Sequence, residues 1–134
     1  MNKIASQVKR LSKAIDCQYE QVREQLVMTV VTGPRAQKIS IVKQDANYVL
    51  TSVVLGTMKV TKTHKRWREL ARLAWHRNAE HQLVTFAFDE NDRLVGQIRH
   101  PVDHLDYEEL EIYVRSLARE CDRFEYLLSG DDEY

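Results

Sequence analysis

Leu83-Val84-Thr85-Phe86-Ala87-Phe88 and Leu94-Val95-Gly96-Gln97-Ile98-Arg99, separated by Asp89-Glu90-Asn91-Asp92-Arg93, spell a β-hairpin. Val84, Phe86 and Phe88 share one face at period two, and the polar run between the strands is turn chemistry. Pro101 closes the second strand because it has no N–H to donate. Leu105-Asp106-Tyr107-Glu108-Glu109-Leu110 is then a helix start. Asp106 can cap, Glu109 completes a capping box, and Leu105 and Leu110 stand at the hydrophobic-staple positions. Leu110, Val114, Leu117, Cys121, Phe124 and Leu128 follow at steps of four and three, the stripe of one long amphipathic helix. Gly130 is its expected stop, with Asp131-Asp132-Glu133 a frayed acidic tail.

Upstream of the hairpin, Trp67, Leu70, Ala71 and Ala74 form the apolar stripe of a helix from His64 to about Asn78, with Thr63 as cap. Three runs rich in β-branched residues precede it, Leu26–Thr32, Lys38–Lys43 and Tyr48–Leu55. Gly33-Pro34 and Asp45-Ala46-Asn47 turn the chain between them, which predicts an antiparallel meander, and Gly56 closes the last run. Ile4, Val8, Leu11 and Ile15 lie on one face of an N-terminal helix expected to end near Asp16. Cys17–Glu24 either extends that helix or forms a loop. The element order is α-β-β-β-α-β-β-α, an α+β fold expected to form a single domain over residues 1–134.

The composition is that of an ordinary globular chain, 43% hydrophobic and 30% charged, with a formal net charge of zero. The charge is unevenly spread. Lys59–Arg77 holds seven basic residues and one acidic residue, a net +6, whereas Asp103–Tyr134 holds eleven acidic residues and three arginines, a net −8. Cys17 and Cys121 are the only cysteines, and reduced thiols are expected. The start of the chain has no continuous apolar segment of signal-peptide type, and no run approaches the ~18 apolar residues that span a bilayer. The expectation is a cytoplasmic protein with no membrane attachment.

Catalytic patterns are missing from the sequence. No serine sits in a nucleophile-elbow context, no glycine-rich phosphate loop exists, and Gly33-Pro34-Arg35 is a hairpin turn. Glu108, Glu109 and Glu111 open the last helix, where they complement its dipole. His100 and His104 flank Asp103, but Pro101 prevents a helical display of the two imidazoles, so ordinary polar histidines are expected and no metal or other cofactor. Two surface patterns stand out. Lys62, Lys65, Arg66, Arg68, Arg72 and Arg77, with Trp67 and Trp75 among them, can meet an anionic partner, nucleic acid or acidic protein, or be compensated by the acidic last helix. Opposite the core stripe of that last helix, by 100° steps, lie Ile112, Arg115, Arg119, Arg123 and Tyr126. An isoleucine and a tyrosine framing three mutually repelling arginines suit an interface better than solvent.

The ordered run from Trp75 to Ser129 resembles the YbjN family. The resemblance is carried by Trp75-His76-Arg77-Asn78, the hairpin turn, Pro101-Val102-Asp103-His104-Leu105-Asp106 and the ending Cys121-Asp122-Arg123-Phe124-Glu125-Tyr126-Leu127-Leu128. It covers the last 60 or so residues by motif and the rest by element order. It implies the fold of type III secretion chaperones: a five-stranded antiparallel sheet packed with helices, often in a homodimer. It also implies a non-enzymatic protein-binding role, chaperone-like or regulatory, with no catalytic residues. The chain departs from those acidic chaperones in its neutral charge and basic middle helix. Asp92 stands where a glycine is common, so the turn asks for positive φ at an aspartate. The expected partners are a client or regulatory protein and a second copy of the chain, through the sheet edges or the Ile112–Tyr126 face. The competing expectation is a nucleic-acid-associated regulator that uses the basic helix.

Overall fold

In the computed structural model, residues 2–55, 64–80 and 83–132 are described. The elements are α1 (Asn2–Ala14), β1 (Cys17–Val22), β2 (Gln25–Thr32), β3 (Arg35–Gln44), β4 (Asn47–Leu55), α2 (His64–Glu80), β5 (Thr85–Phe88), β6 (Leu94–Pro101) and α3 (Tyr107–Asp132). A single turn of 3₁₀-helix at Val102–His104 links β6 to α3. The strands form one antiparallel sheet in the order β1-β2-β3-β4-β6-β5.

Among the described residues the sheet therefore has six strands, not five, and the order is α-β-β-β-β-α-β-β-α. The added strand is β1, within the segment whose sequence admits helix or loop. It gives no periodic signal because all but Cys17 of its residues are exposed. It is held by pairing, Cys17 opposite Val30 through Val22 opposite Gln25, and not by burial.

Alternation sorts the other strands into two faces. Leu26, Met28 and Val30 of β2, Ile39 and Ile41 of β3, and Leu50 and Val54 of β4 are buried under the helices with Phe86, Leu94 and Ile98. They join Ile4, Val8 and Leu11 of α1 and the whole stripe of α3 in one core. Every residue of the expected α3 stripe is buried. Its start is the expected capping box: the Glu109 N–H donates to Asp106 Oδ1 (2.8 Å), and the Asp106 N–H donates to Glu109 Oε1 (3.1 Å). Leu105 and Leu110 are both buried beside it. The helix does not stop at Gly130 but runs to Asp132. A glycine lowers helix propensity without forbidding the helix.

α1 docks against the start of α3, with the Arg10 guanidinium 3.8 Å from the Tyr107 ring centroid. α3 crosses the sheet over Gly96, which is buried. A Cβ at that position would run into Cys121 Sγ, Phe86 and Leu117, so the glycine sets how closely helix and sheet approach. Positive φ occurs at Arg23, Gly33 and Asp45, each the first residue of a two-residue hairpin loop, and at Asp92, where the sequence asks for it.

Candidate protein-binding surface

α3 is anchored to the sheet by polar side chains as well as by its stripe. Arg35 of β3 forms an ion pair with Asp122: Nη2 donates to Oδ2 at 2.9 Å, and Nε lies 2.8 Å from Oδ1. Gln37, buried on the same strand, donates to Glu125 Oε2 (2.7 Å) and accepts from the Ser52 hydroxyl (3.1 Å). Cys121 is buried beside Ser52, whose carbonyl oxygen is 3.8 Å from its Sγ. Burial pushes the Cys121 thiol up to about 12; hydrogen bonds at Ser52 and Gly96 pull the other way, and Glu120 and Glu125 add to the rise. Neither cysteine is in a disulfide.

At the C-terminal end of the outward row of α3, Arg123 borders α2 and Tyr126 lies beside Arg35 of β3. The mutual repulsion expected among the arginines is relieved: Arg115 Nε is 3.3 Å from Glu111 Oε1, and Arg119 Nε is 3.3 Å from Glu120 Oε1. Tyr126 is 61% exposed, yet the Arg35 guanidinium lies 4.8 Å from its ring centroid. Ile112 is 55% exposed. The two ends of the expected face thus differ: Tyr126 has an intramolecular partner in Arg35, and Ile112 stands out to solvent.

The basic helix α2 is also divided. Arg77 turns inward, with Nη1 3.8 Å from Glu120 Oε2 and its guanidinium 5.1 Å from the Phe124 ring centroid. Internal compensation by the acidic helix therefore holds at Arg77. Arg68 and Arg72 are exposed on the outer face, and Trp75 beside them is 67% exposed. Lys62 and the Thr63 cap lie outside the described residues, as do the side chains of Lys65, Arg66 and Trp67. Leu70 and Ala74 are buried as expected, whereas Ala71 is half-buried.

Between the C-terminal halves of α2 and α3 runs a groove of about 560 Å³. Phe124 and Leu128 line its floor, and Leu73 (39% exposed) and Leu127 (48% exposed) form apolar walls. His76, Arg77, Glu80 and Arg123 also line it. Arg123 has no carboxylate partner among the described residues. Sequence periodicity finds Phe124 and Leu128 but not the groove, because its walls are more than forty residues apart in the chain.

Among the described residues the histidines do not gather. His100 Nδ1 lies 2.6 Å from the Tyr113 hydroxyl and its Nε2 3.8 Å from Glu109 Oε2, whereas His104 is exposed. Burial raises the Tyr113 phenol above its ordinary value, and Glu109 and Asp106 add to the rise. No three metal-ligating side chains converge among the described residues. Asn78 has a structural task. Its amide accepts from the Phe86 N–H (2.6 Å) and donates to the Phe86 carbonyl (2.9 Å), so the end of α2 clamps the edge strand β5.

No family model matches the sequence, and no curated protein matches it. Among solved structures, YbjN from E. coli, described as a candidate transcription regulator, superposes with a TM-score of 0.65 at 13% identity. The superposition covers 98% of this chain and 92% of that one. At that identity the likeness speaks for the fold alone. This chain has the YbjN-like fold that its C-terminal run resembles.

Proposed function

We propose that this chain is a non-enzymatic, cytoplasmic protein-binding module, regulatory or chaperone-like. A partner's amphipathic segment docks on its α2–α3 side. The observation that carries this reading is the groove itself: an apolar floor, two half-exposed leucines as walls and, at its edge, the cation of Arg123, which has no carboxylate partner among the described residues. Ile112 and Arg119 extend the surface along α3. An apolar segment bearing a carboxylate complements it, with apolar side chains between Leu73 and Leu127 and the carboxylate on Arg123. No helix among the described residues is long and apolar enough to cross a membrane, and two unbonded cysteines suit a reducing compartment. The test compares capture of the partner by wild type, by Leu73→Glu with Leu127→Glu, and by Ile112→Glu. Partner binding falls at least about tenfold in the double variant while its unfolding midpoint is unchanged. Equal capture by all three would overturn the reading.

One observation favours a second reading, a nucleic-acid-associated regulator. Trp75 is exposed on the same outer face as Arg68 and Arg72, and the structural neighbour is described as a candidate transcription regulator. Phosphate contacts by these arginines predict that log affinity falls linearly with log salt, by about 0.9 per contact, and that Arg72→Ala lowers that slope by about one unit. Binding insensitive to salt would exclude it.

A further inference from the structure

The groove between α2 and α3 barely exposes its own floor. Phe124 and Leu128 line it, yet they are only 2% and 1% exposed, whereas the wall residues Leu73 and Leu127 are half-exposed. What reaches the floor between those walls is slender. An unbranched aliphatic chain does so and covers both leucines on its way. The volume of about 560 Å³ falls within the ~300–1,000 Å³ of small-molecule sites.

The charged residues at the rim differ in what they offer a ligand. Arg77 is engaged by Glu120 and by the Phe124 ring. Arg123 has no carboxylate partner among the described residues and lines the same groove. Glu80 is the one carboxylate among the described residues that line it, and it opposes a second negative charge there. An apolar tail with a single anionic head matches this arrangement, and a diacid does not.

We propose that the groove binds a medium-chain aliphatic monocarboxylate, its chain between Leu73 and Leu127 over Phe124 and Leu128, its carboxylate on Arg123. The chain takes the place of an apolar side chain of a docked partner segment, and the head takes the place of that segment's carboxylate. Ligand and segment are therefore mutually exclusive, and free carboxylate sets how much of the protein is open to its partner. That regulatory consequence rests on the docking reading above; the binding itself does not. Burial of the tail strengthens binding with every methylene, while the head contributes one charge-assisted pair at the rim. Affinity thus depends separately on tail length and on head charge, which unspecific adsorption does not reproduce.

Calorimetric titration of the full chain with hexanoate, octanoate and decanoate tests the site. One ligand binds per chain, with affinity rising about fourfold for each added methylene. Octanol, which lacks the charge, and octanedioate, which doubles it, bind at least about tenfold more weakly than octanoate. Arg123→Gln lowers the affinity for octanoate about tenfold and leaves that for octanol unchanged, because only the head loses its partner. Leu73→Glu with Leu127→Glu removes binding of both, and the unfolding midpoints of these variants stay at the wild-type value. The titration contains no partner, so its outcome is independent of the capture test for docking. Equal affinity at all three chain lengths, an Arg123→Gln variant that binds octanoate as wild type does, or no binding at all would overturn the proposal.

Discussion

Gly96 shows how much one absent methyl group decides. With Cys121 Sγ, Phe86 and Leu117 closing over it, α3 lies as near to β6 as the backbone allows. Gly96→Ala must push helix and sheet apart or distort the Cys121 rotamer, at a cost of about 1–3 kcal/mol. Chemical denaturation checks this, since overpacking shifts the midpoint. Asp89 governs the β5–β6 turn in another way. It accepts from the Asn91 and Arg93 N–H groups at 2.9 Å each and from Arg93 Nε at 2.7 Å. Burial pushes its carboxyl up, but those donors outweigh the push and hold it below the ordinary carboxylate value. A depressed folded value stabilises the protein above the unfolded one, and that contribution is lost as pH falls through the folded value. Stability measured from pH 5 downward therefore drops more steeply in wild type than in Asp89→Asn, with the divergence starting near pH 4. Parallel curves would mean that the turn does not depend on the ionised carboxylate.

At the scale of elements, α3 is the keystone. Phe124 is buried on its stripe and meets Phe86 edge-on, with ring centroids 5.0 Å apart. Phe124→Ala should cost about 3–5 kcal/mol, against about 1 kcal/mol for Asp106→Ala at the cap. A pair of denaturation curves with midpoints in the reverse order would contradict the packing. The same helix was the most legible part of the sequence, because stripe, box and staple are all local and periodic. β1 was illegible for the opposite reason. Its stability comes from hydrogen bonds to β2, so its side chains need follow no pattern of burial. The outward row on α3 was legible by angle alone. Its chemistry was legible only in part: Glu111 and Glu120 are local partners of Arg115 and Arg119, whereas the partner of Tyr126, Arg35, depends on which strand lies alongside. The Asn78 clamp falls in the same class: the asparagine is visible near the end of α2, but its grip on Phe86 requires the folded path.

For the molecule as a whole, the helical layer has an inside and two distinct outsides. Arg77 and Arg35 tie the acidic residues of α3 to α2 and to the sheet, so the opposite charges of the two stretches are met in part within the fold. What remains exposed is an apolar groove edged by Arg123 on one side of α2, and Trp75 with Arg68 and Arg72 on its outer face. The first suits a polypeptide and the second an anionic polymer, and one measurement separates them. A photo-reactive amino acid is placed at Leu127 in one variant and at Trp75 in another, and the products are analysed after irradiation in cells. The account predicts a discrete protein adduct from position 127 and none from position 75. Nucleic-acid adducts from position 75, with position 127 silent, would contradict it.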